Sequence, residues 1–408
     1  GVAALIPGGE GALVLVGEAA LIPAGEAALI PGGQAALAIP GAEASVTLAG
    51  VVGRSVAADD PAVLPAASAS FSPPTLGRLY ALKCLPKAPL LAAGRARQAL
   101  NERRALASSH GWHPCLPLLH GAFQDAHHLF LLLEAVAGVE LFYLLREARR
   151  FDPATTAVYL AMTASALAHL HERGWVHRDV KPENLLLDAE GYIKLVDFGL
   201  ATRLTAAAER TWTLCGTPEY TAPEVIACRG HGFPVDWWAL GILLYELLNG
   251  FPPFCANDPV QVYALVLRNK PDLPAHMPPA ARKLCAGLLQ SDPDARLGGR
   301  RGAVELMLAP FFEHVDWLAL ASRAAPAPML PIVAPADPVE LSDIEALLQP
   351  GYACGATDSE DAFTAAAAAR HLFAHDFTPC EEPAGHKRVG PPDSPKSRRM
   401  LAKRPPRL

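Results

Sequence analysis

The sequence predicts an α+β fold of two lobes, a small β-rich one with a single central helix and a larger helical one. Three observations carry this. Between Leu79 and Ala135, two short apolar strand patterns, L-Y-A-L-K-C-L and H-L-F-L-L-L-E-A, flank one helical pattern, R-A-R-Q-A-L-N-E-R-R-A-L. Beyond them the periodicity turns helical. Leu160 to Glu172 reads as an amphipathic helix, and V-D-W-W-A-L-G-I-L-L-Y-E-L-L, opened by Asp236, as an apolar one whose tryptophans belong to the core. Between these helices stands W-V-H-R-D-V-K-P-E-N-L-L-L-D-A-E-G-Y-I-K-L-V-D-F-G, Trp175 to Gly199, where the apolar runs Leu185–Leu187 and Ile193–Val196 read as strands holding a polar loop. At 408 residues the chain is long enough for more than one core.

That polar stretch has a chemical reading. Transfer of a phosphoryl group to a hydroxyl needs a carboxylate beside the attacking oxygen and divalent metal to neutralise charge on the phosphates. Asp179 would accept the substrate proton, with Lys181 near the moving group. Asn184 and Asp197 would hold Mg²⁺, which prefers hard oxygen ligands. Any one of these residues alone reads as ordinary turn chemistry; in this order and spacing chance is no serious competitor. The pattern His-Arg-Asp, Asn five residues on, then Asp-Phe-Gly resembles the catalytic loop and metal-binding turn of the protein kinases. A bilobal protein-kinase fold, ATP and Mg²⁺ are what that resemblance implies.

In chain order, residues 1–41 carry a glycine-opened repeat of eight, from G-V-A-A-L-I-P-G to G-Q-A-A-L-A-I-P. It reads as a low-complexity extension, or as short strands stacked in a meander; no role is assigned to it. The small lobe is drawn over 42–134. S-V-T-L-A-G-V-V-G-R-S-V resembles a strand–glycine loop–strand element whose amides close over ATP phosphates. Only Gly50 and Gly53 are present, Leu48 standing where a first glycine belongs, and a plain turn is the alternative. The Ala/Ser/Pro-rich segment near 59–74 reads as a surface insertion. Lys83, inside an apolar run, needs a counter-charge, and the helical Glu102 offers it; together they fit the pair that positions the ATP α/β-phosphates. Leu133 would stand beside the adenine, Glu134 and Val136 would offer it backbone hydrogen bonds, and Glu140 would meet ribose or a basic substrate side chain.

The larger lobe is drawn over 135–317. A-T-R-L-T-A-A-A-E-R-T-W-T-L-C-G-T-P-E-Y-T-A-P-E reads as an activation segment. Thr213 is its expected phosphosite, and the phosphate would draw Arg178 and order the loop. Thr217 would join the Asp179–Lys181 network, and Glu224 would pair with Arg296 as a structural ion pair.

More narrowly, T-W-T-L-C-G-T-P-E-Y resembles the activation segment of cAMP-dependent kinases. G-Y-I-K-L-V-D-F-G, A-P-M-L-P-I-V-A-P-A-D and F-A-H-D-F at Phe373 to Phe377 look closer to cGMP-dependent ones. Both belong to the AGC group. The resemblance implies an AGC-type tail over 318–377, an activating kinase for Thr213, and Glu140, Glu183 and Glu246 as receivers of arginines upstream of a target Ser/Thr. Carboxylates on one rim select guanidinium groups and repel acidic peptides. It also implies control by a cyclic-nucleotide-binding domain or subunit, which is not visible in this chain. Against the pattern, Thr202 replaces a basic residue that helps bind the loop phosphate, and P-V-E-L-S-D-I-E-A-L-L replaces an aromatic-acidic run. With the degraded glycine loop and this altered tail as its support, a pseudokinase scaffold is the rival reading, with a structural role led by the octads as the second.

Net charge is −6, without the basic bias expected of a nucleic-acid binder. Residues 386–408 oppose this, with eight Lys/Arg against one Asp, a local +7 that leaves −13 for the rest. This basic segment, within a tail drawn over 378–408, reads as disordered; nuclear targeting, an acidic partner or a membrane surface are its candidate uses. Eight scattered cysteines without a Cys-x-x-Cys pair favour reduced thiols and an intracellular setting. No apolar run reaches the roughly eighteen residues of a membrane span. The chain opens on Gly1, so the reading allows for a fragment with an upstream domain.

Overall fold

The computed structural model describes residues 80–330 apart from 110–112, 125–126, 137 and 207, together with 373, 376–379 and the backbone of six short strands between 3 and 48. Those six are β1 (Ala3–Leu5), β2 (Val14–Val16), β3 (Ala19–Ala20), β4 (Ala27–Ile30), β5 (Gln34–Leu37) and β6 (Val46–Leu48). β7 (Tyr80–Pro86) follows, then the helices α1 (Lys87–Ala92) and α2 (Ala96–Ser108), β8 (Leu119–Gln124) and β9 (His128–Glu134).

β7 is the axis of the small lobe. It pairs antiparallel with β9 along its whole length, from Tyr80↔Glu134 to Pro86↔His128, and β9 pairs onward with β8. On its other edge it takes β3, with Ala19 opposite Lys83, and β2 and β1 continue the sheet. Val46–Leu48 pairs instead with β5, in a separate sheet with β4. The strand–glycine loop–strand element expected from Ala42 onward carried no assigned partner strand, and Val46–Leu48 is its first strand. An edge strand asks only for a short run with free backbone donors and acceptors, and the octads supply several. Gly50, Gly53 and the insertion near 59–74 lie outside the described residues.

α2 packs under this sheet by one face, burying Ala99, Glu102, Ala105 and Leu106. The far end of the chain docks on the same lobe. Phe373 and Phe377 are fully buried. Asp376 takes a two-point hydrogen bond from Arg104 (2.8 and 2.7 Å) with Arg103 at 3.6 Å, and β15 (Thr378–Pro379) lies parallel to β8. Gln124 donates to the Phe377 carbonyl (3.0 Å) and accepts from Lys87 (2.7 Å). The aromatic F-A-H-D-F segment therefore clamps the α2 helix that carries Glu102.

The larger lobe begins after the connector with β10 (Gly138–Glu140), α3 (Leu141–Ala148) and α4 (Pro153–Glu172). α4 starts seven residues before the apolar periodicity suggested, because Asp152 caps it. Its Oδ1 accepts from the Ala154 and Thr155 N–H groups at 2.9 and 3.0 Å, and Pro153 fits the first turn. Next come β11 (Trp175–Val176), β12 (Leu185–Asp188), β13 (Ile193–Leu195) and β14 (Thr202–Arg203), then α5 (Pro223–Ile226) and α6 (Pro234–Asn249). α7 (Pro259–Arg268), α8 (Pro279–Leu288), α9 (Ala303–Met307) and α10 (Trp317–Ala321) complete the lobe.

Fourteen of the sixteen α6 residues are buried, which explains why its sequence is apolar all round. Trp237 and Trp238 sit in the core at 1% and 0% exposure. Arg296 lies over the Trp238 ring and grips Glu224 through two bonds of 2.7 and 2.8 Å, both residues buried. At Gly241 a Cβ would stand 2.8 Å from the Leu288 Cβ, so glycine lets α6 and α8 approach. Among the described residues no helix is long and apolar enough to cross a membrane.

Candidate active site

The polar loop is held in place by a carboxylate from outside it. Asp236, on the first turn of α6 and fully buried, accepts the His177 N–H at 2.9 Å and the Arg178 N–H at 2.8 Å. His171 meets its Oδ2 at 2.7 Å. Burial alone would push this carboxyl up, but His171 and the backbone donors outweigh that and hold it below the usual range. Arg178 is thereby kept at φ +68°, in the left-handed region that non-glycine residues avoid. The loop is bent by a fixed charge.

On this bend Asp179 is 8% exposed. Lys181 donates to its Oδ2 (2.9 Å) and to Thr217 Oγ1 (3.0 Å), and Thr217 donates to its Oδ1 (3.1 Å). Asn184 Nδ2 donates to both the Asp179 carbonyl (2.8 Å) and Oδ2 (2.9 Å). So Asp179, Lys181, Asn184 and Thr217 come together, the last from the activation segment. β12 and β13 pair antiparallel, Leu185 opposite Leu195, and bring Asp197 to the same cleft.

Lys83 reaches across from the small lobe. Its ammonium lies 2.8 Å from Glu102 Oε1 and 3.3 Å from Asp197 Oδ1. Burial works against the charge, yet the two carboxylates prevail and raise the lysine above its ordinary value. Asp197 shows the converse: burial would raise it, but Lys83 and the Gly199 N–H (3.2 Å) keep it low and ionised. It stands at φ +59°, a strained turn that aims its carboxylate outward. Asn184 commits its amide nitrogen to Asp179 as a donor, which leaves the lone pairs of its amide oxygen for a metal ion. An ionised carboxylate and an amide oxygen fit Mg²⁺, which takes few protein ligands and fills its shell with water and phosphate oxygens.

At the connector, Leu133, Val136 and Glu140 are half-buried. Glu134 uses one of its two backbone groups inside the fold. Its N–H donates to the Leu118 carbonyl at 2.8 Å, so of its backbone groups only the carbonyl remains to be offered to an adenine. Burial raises the Glu140 carboxyl, and nearby Glu183 adds to it. Burial likewise raises Glu246, with Glu183 and Glu219 contributing, although the Tyr220 hydroxyl donates a short hydrogen bond to it. Glu219, in G-T-P-E-Y, was not singled out from sequence. Its position two residues beyond Thr217 was the available signal.

Thr213 is exposed, between Trp212 (65% exposed) and Leu214 (50%). Arg178 turns its guanidinium to the Leu200 carbonyl (2.8 Å) and reaches Thr211 Oγ1 at 3.5 Å. Thr202, where a basic residue was expected, lies in β14 opposite Val176.

A lysine–glutamate–aspartate relay facing a buried, hydrogen-bonded aspartate across an interlobe cleft defines a class. Residues 74–312 match the protein kinase domain, and the chain belongs to the protein kinase family. Within it the chain stands in the AGC group of serine/threonine kinases. It is 42% identical over 256 residues to a cAMP-dependent protein kinase catalytic subunit of Dictyostelium discoideum, covering 62% of this chain and 39% of that one. It is 42% identical over 261 residues to the human cAMP-dependent protein kinase catalytic subunit PRKX, covering 64% and 72%. To human ribosomal protein S6 kinase alpha-4 it is 44% identical over 262 residues, covering 62% and 34%.

Proposed function

We propose that this chain transfers the γ-phosphoryl group of ATP, with Mg²⁺, to serine or threonine hydroxyls in peptides with arginines upstream of the target. The observation that carries it is the buried Asp179 carboxylate, held by Lys181, Thr217 and Asn184. Asp179 orients the substrate hydroxyl and takes its proton as the oxygen attacks. Lys181, already beside Asp179, steadies charge on the group in flight. Lys83, oriented by Glu102, holds the phosphates. Asn184 and Asp197 would hold Mg²⁺, which when bound neutralises charge on the phosphate oxygens. Glu134 and Val136 offer backbone to the adenine, with Leu133 beside it; Gly50 and Gly53 are proposed to cover the phosphates.

The basophilic reading is supported by carboxylates close enough to act on one another's charge, Glu183 adding to the raised Glu140 and to the raised Glu246. A guanidinium entering there would relieve repulsion that burial has amplified. Phosphorylation of Thr213 by an activating kinase is proposed to recruit Arg178. Likeness to cAMP- and cGMP-dependent enzymes supports a cyclic-nucleotide-binding regulatory partner and an intracellular setting. The test is a pair of serine peptides, one with two upstream arginines and one with glutamates there. Transfer at least about tenfold faster to the first is expected, given a charge-assisted hydrogen bond to each arginine. Equal rates would remove the basophilic assignment.

A further inference from the structure

The junction between the lobes contains an ion pair that local sequence patterns do not announce. Lys194 lies in the middle of β13 with its side chain 7% exposed. Its ammonium donates to the Glu134 carboxylate at 2.9 Å and to the Leu116 carbonyl at 3.3 Å. The same carboxylate accepts the Leu118 N–H at 3.1 Å, while the Glu134 N–H donates to the Leu118 carbonyl at 2.8 Å. One residue along β13, the Leu195 N–H donates to the Cys115 carbonyl at 2.8 Å. Three stretches of chain are thus tied at one point: 115–118, the connector end of β9, and the strand that reaches Asp197 two residues later.

A strand lysine would ordinarily carry its charge to water along its stem. Here the charge is withdrawn from water and spent on a single carboxylate and a carbonyl. Without Glu134 the lysine would be a buried charge with only a carbonyl for company, whereas Glu134, a quarter exposed and also bound by the Leu118 N–H, could turn to water. The arrangement also fixes the Glu134 backbone on both sides: the N–H is bound to Leu118, and the side chain is pinned to Lys194. The connector therefore has one carbonyl direction at Glu134 rather than several.

We propose that Lys194 is a positioning residue for nucleotide binding. Through the Glu134 carboxylate it fixes the connector backbone that faces the adenine, and it couples that backbone to the strand carrying Asp197. This rests on the reading of Glu134 and Val136 as the adenine edge. No atom of Lys194 needs to touch the nucleotide.

The test uses the full chain with Lys194→Met, Glu134→Gln and the double variant. Steady-state kinetics would give kcat and the KM values for ATP and peptide, calorimetry the ATP affinity, and melting the fold. Each single variant is expected to weaken ATP binding and raise its KM about tenfold, the scale of one charge-assisted hydrogen bond. For Lys194→Met, at a position outside the reacting and binding groups, KM for peptide and kcat should stay within about twofold. The double variant should be no worse than the weaker single, since paired residues act as one unit. A lowered melting temperature with unchanged ATP KM would overturn the proposal, as would additive losses. Should Lys194→Met fail to fold, Glu134→Gln decides the question, because it keeps an acceptor for Leu118 and removes only the charge. Wild-type protein that binds ATP without transferring phosphate would sink the catalytic reading, while the affinity comparison would still decide Lys194. Wild-type protein that binds no ATP would overturn both.

Discussion

Between Trp175 and Gly199 the two aspartates of the cleft, Asp179 and Asp197, have partners inside the fold, whereas Trp212, Thr213 and Leu214 are exposed. Asp179 has hydrogen bonds from three side chains, and Asp197 is set by Lys83 before any ligand arrives. Thr213, fourteen residues from the metal-binding turn, is exposed beside an exposed Trp212. One region is pre-organised at the cost of backbone strain at Arg178 and Asp197. The other is exposed, as the proposed modification at Thr213 requires. Arg178 belongs to both, since Asp236 fixes its backbone while its guanidinium turns toward the activation segment.

The comparison can be broken most severely at the pre-organised end. Asp179→Asn should lower kcat by about 10²–10⁴, the usual worth of a positioned general base, with ATP affinity little changed. Steady-state kinetics and calorimetry check this, and a kcat within a few-fold of wild type would remove Asp179 from its role. Arg296→Met leaves Glu224 buried and unpaired, and should lower stability by about 3–5 kcal/mol in urea unfolding.

A third test uses pH. Burial first, then neighbouring positive charges, push His113 and His169 down from 6.5 to about 4. Below 6.5 the unfolded chain therefore binds protons that the folded chain refuses, so stability falls as pH drops from 6.5 toward 4. The slope should be about 1.4 kcal/mol per pH unit for each histidine, and His169→Gln should flatten it by one proton. An unchanged slope would contradict the buried placement.

At the exposed end the effects should be smaller and of another kind. Thr213→Ala should cost activity by about tenfold, the scale of one phosphate–arginine contact, while leaving the urea midpoint alone. Trp212→Ala should change stability by less than about 0.5 kcal/mol, as exposed positions usually do. A large loss of stability from either would show that this region is as tightly built as the catalytic loop.

The same contrast explains what could be read from sequence. His-Arg-Asp, Asn184 and Asp-Phe-Gly were legible because their chemistry fixes their spacing over a few residues. Lys83 and Glu102 were legible because an apolar strand and a helical pattern each exposed one odd charge. Asp236 appeared only as the residue opening an apolar helix; its grip on the loop spans 58 residues to Arg178, and no local pattern encodes that. The Lys194–Glu134 pair, 60 residues apart, was hidden for the same reason. The partner of the lysine strand, Ala19–Ala20, was not legible because several octads have equal claim to an edge. Glu224 and Arg296, 72 residues apart, were expected to pair as a structural ion pair, and they do.

The most direct measurement is transfer of labelled phosphate from ATP with Mg²⁺ to a serine peptide bearing two upstream arginines, using wild type and Asp197→Ala. The account predicts transfer by the wild type and none above background by the variant, which keeps the peptide-binding glutamates and loses the metal ligand. Silence from wild-type protein already phosphorylated on Thr213 and still binding ATP would contradict it, and would leave a nucleotide-binding scaffold in place of an enzyme.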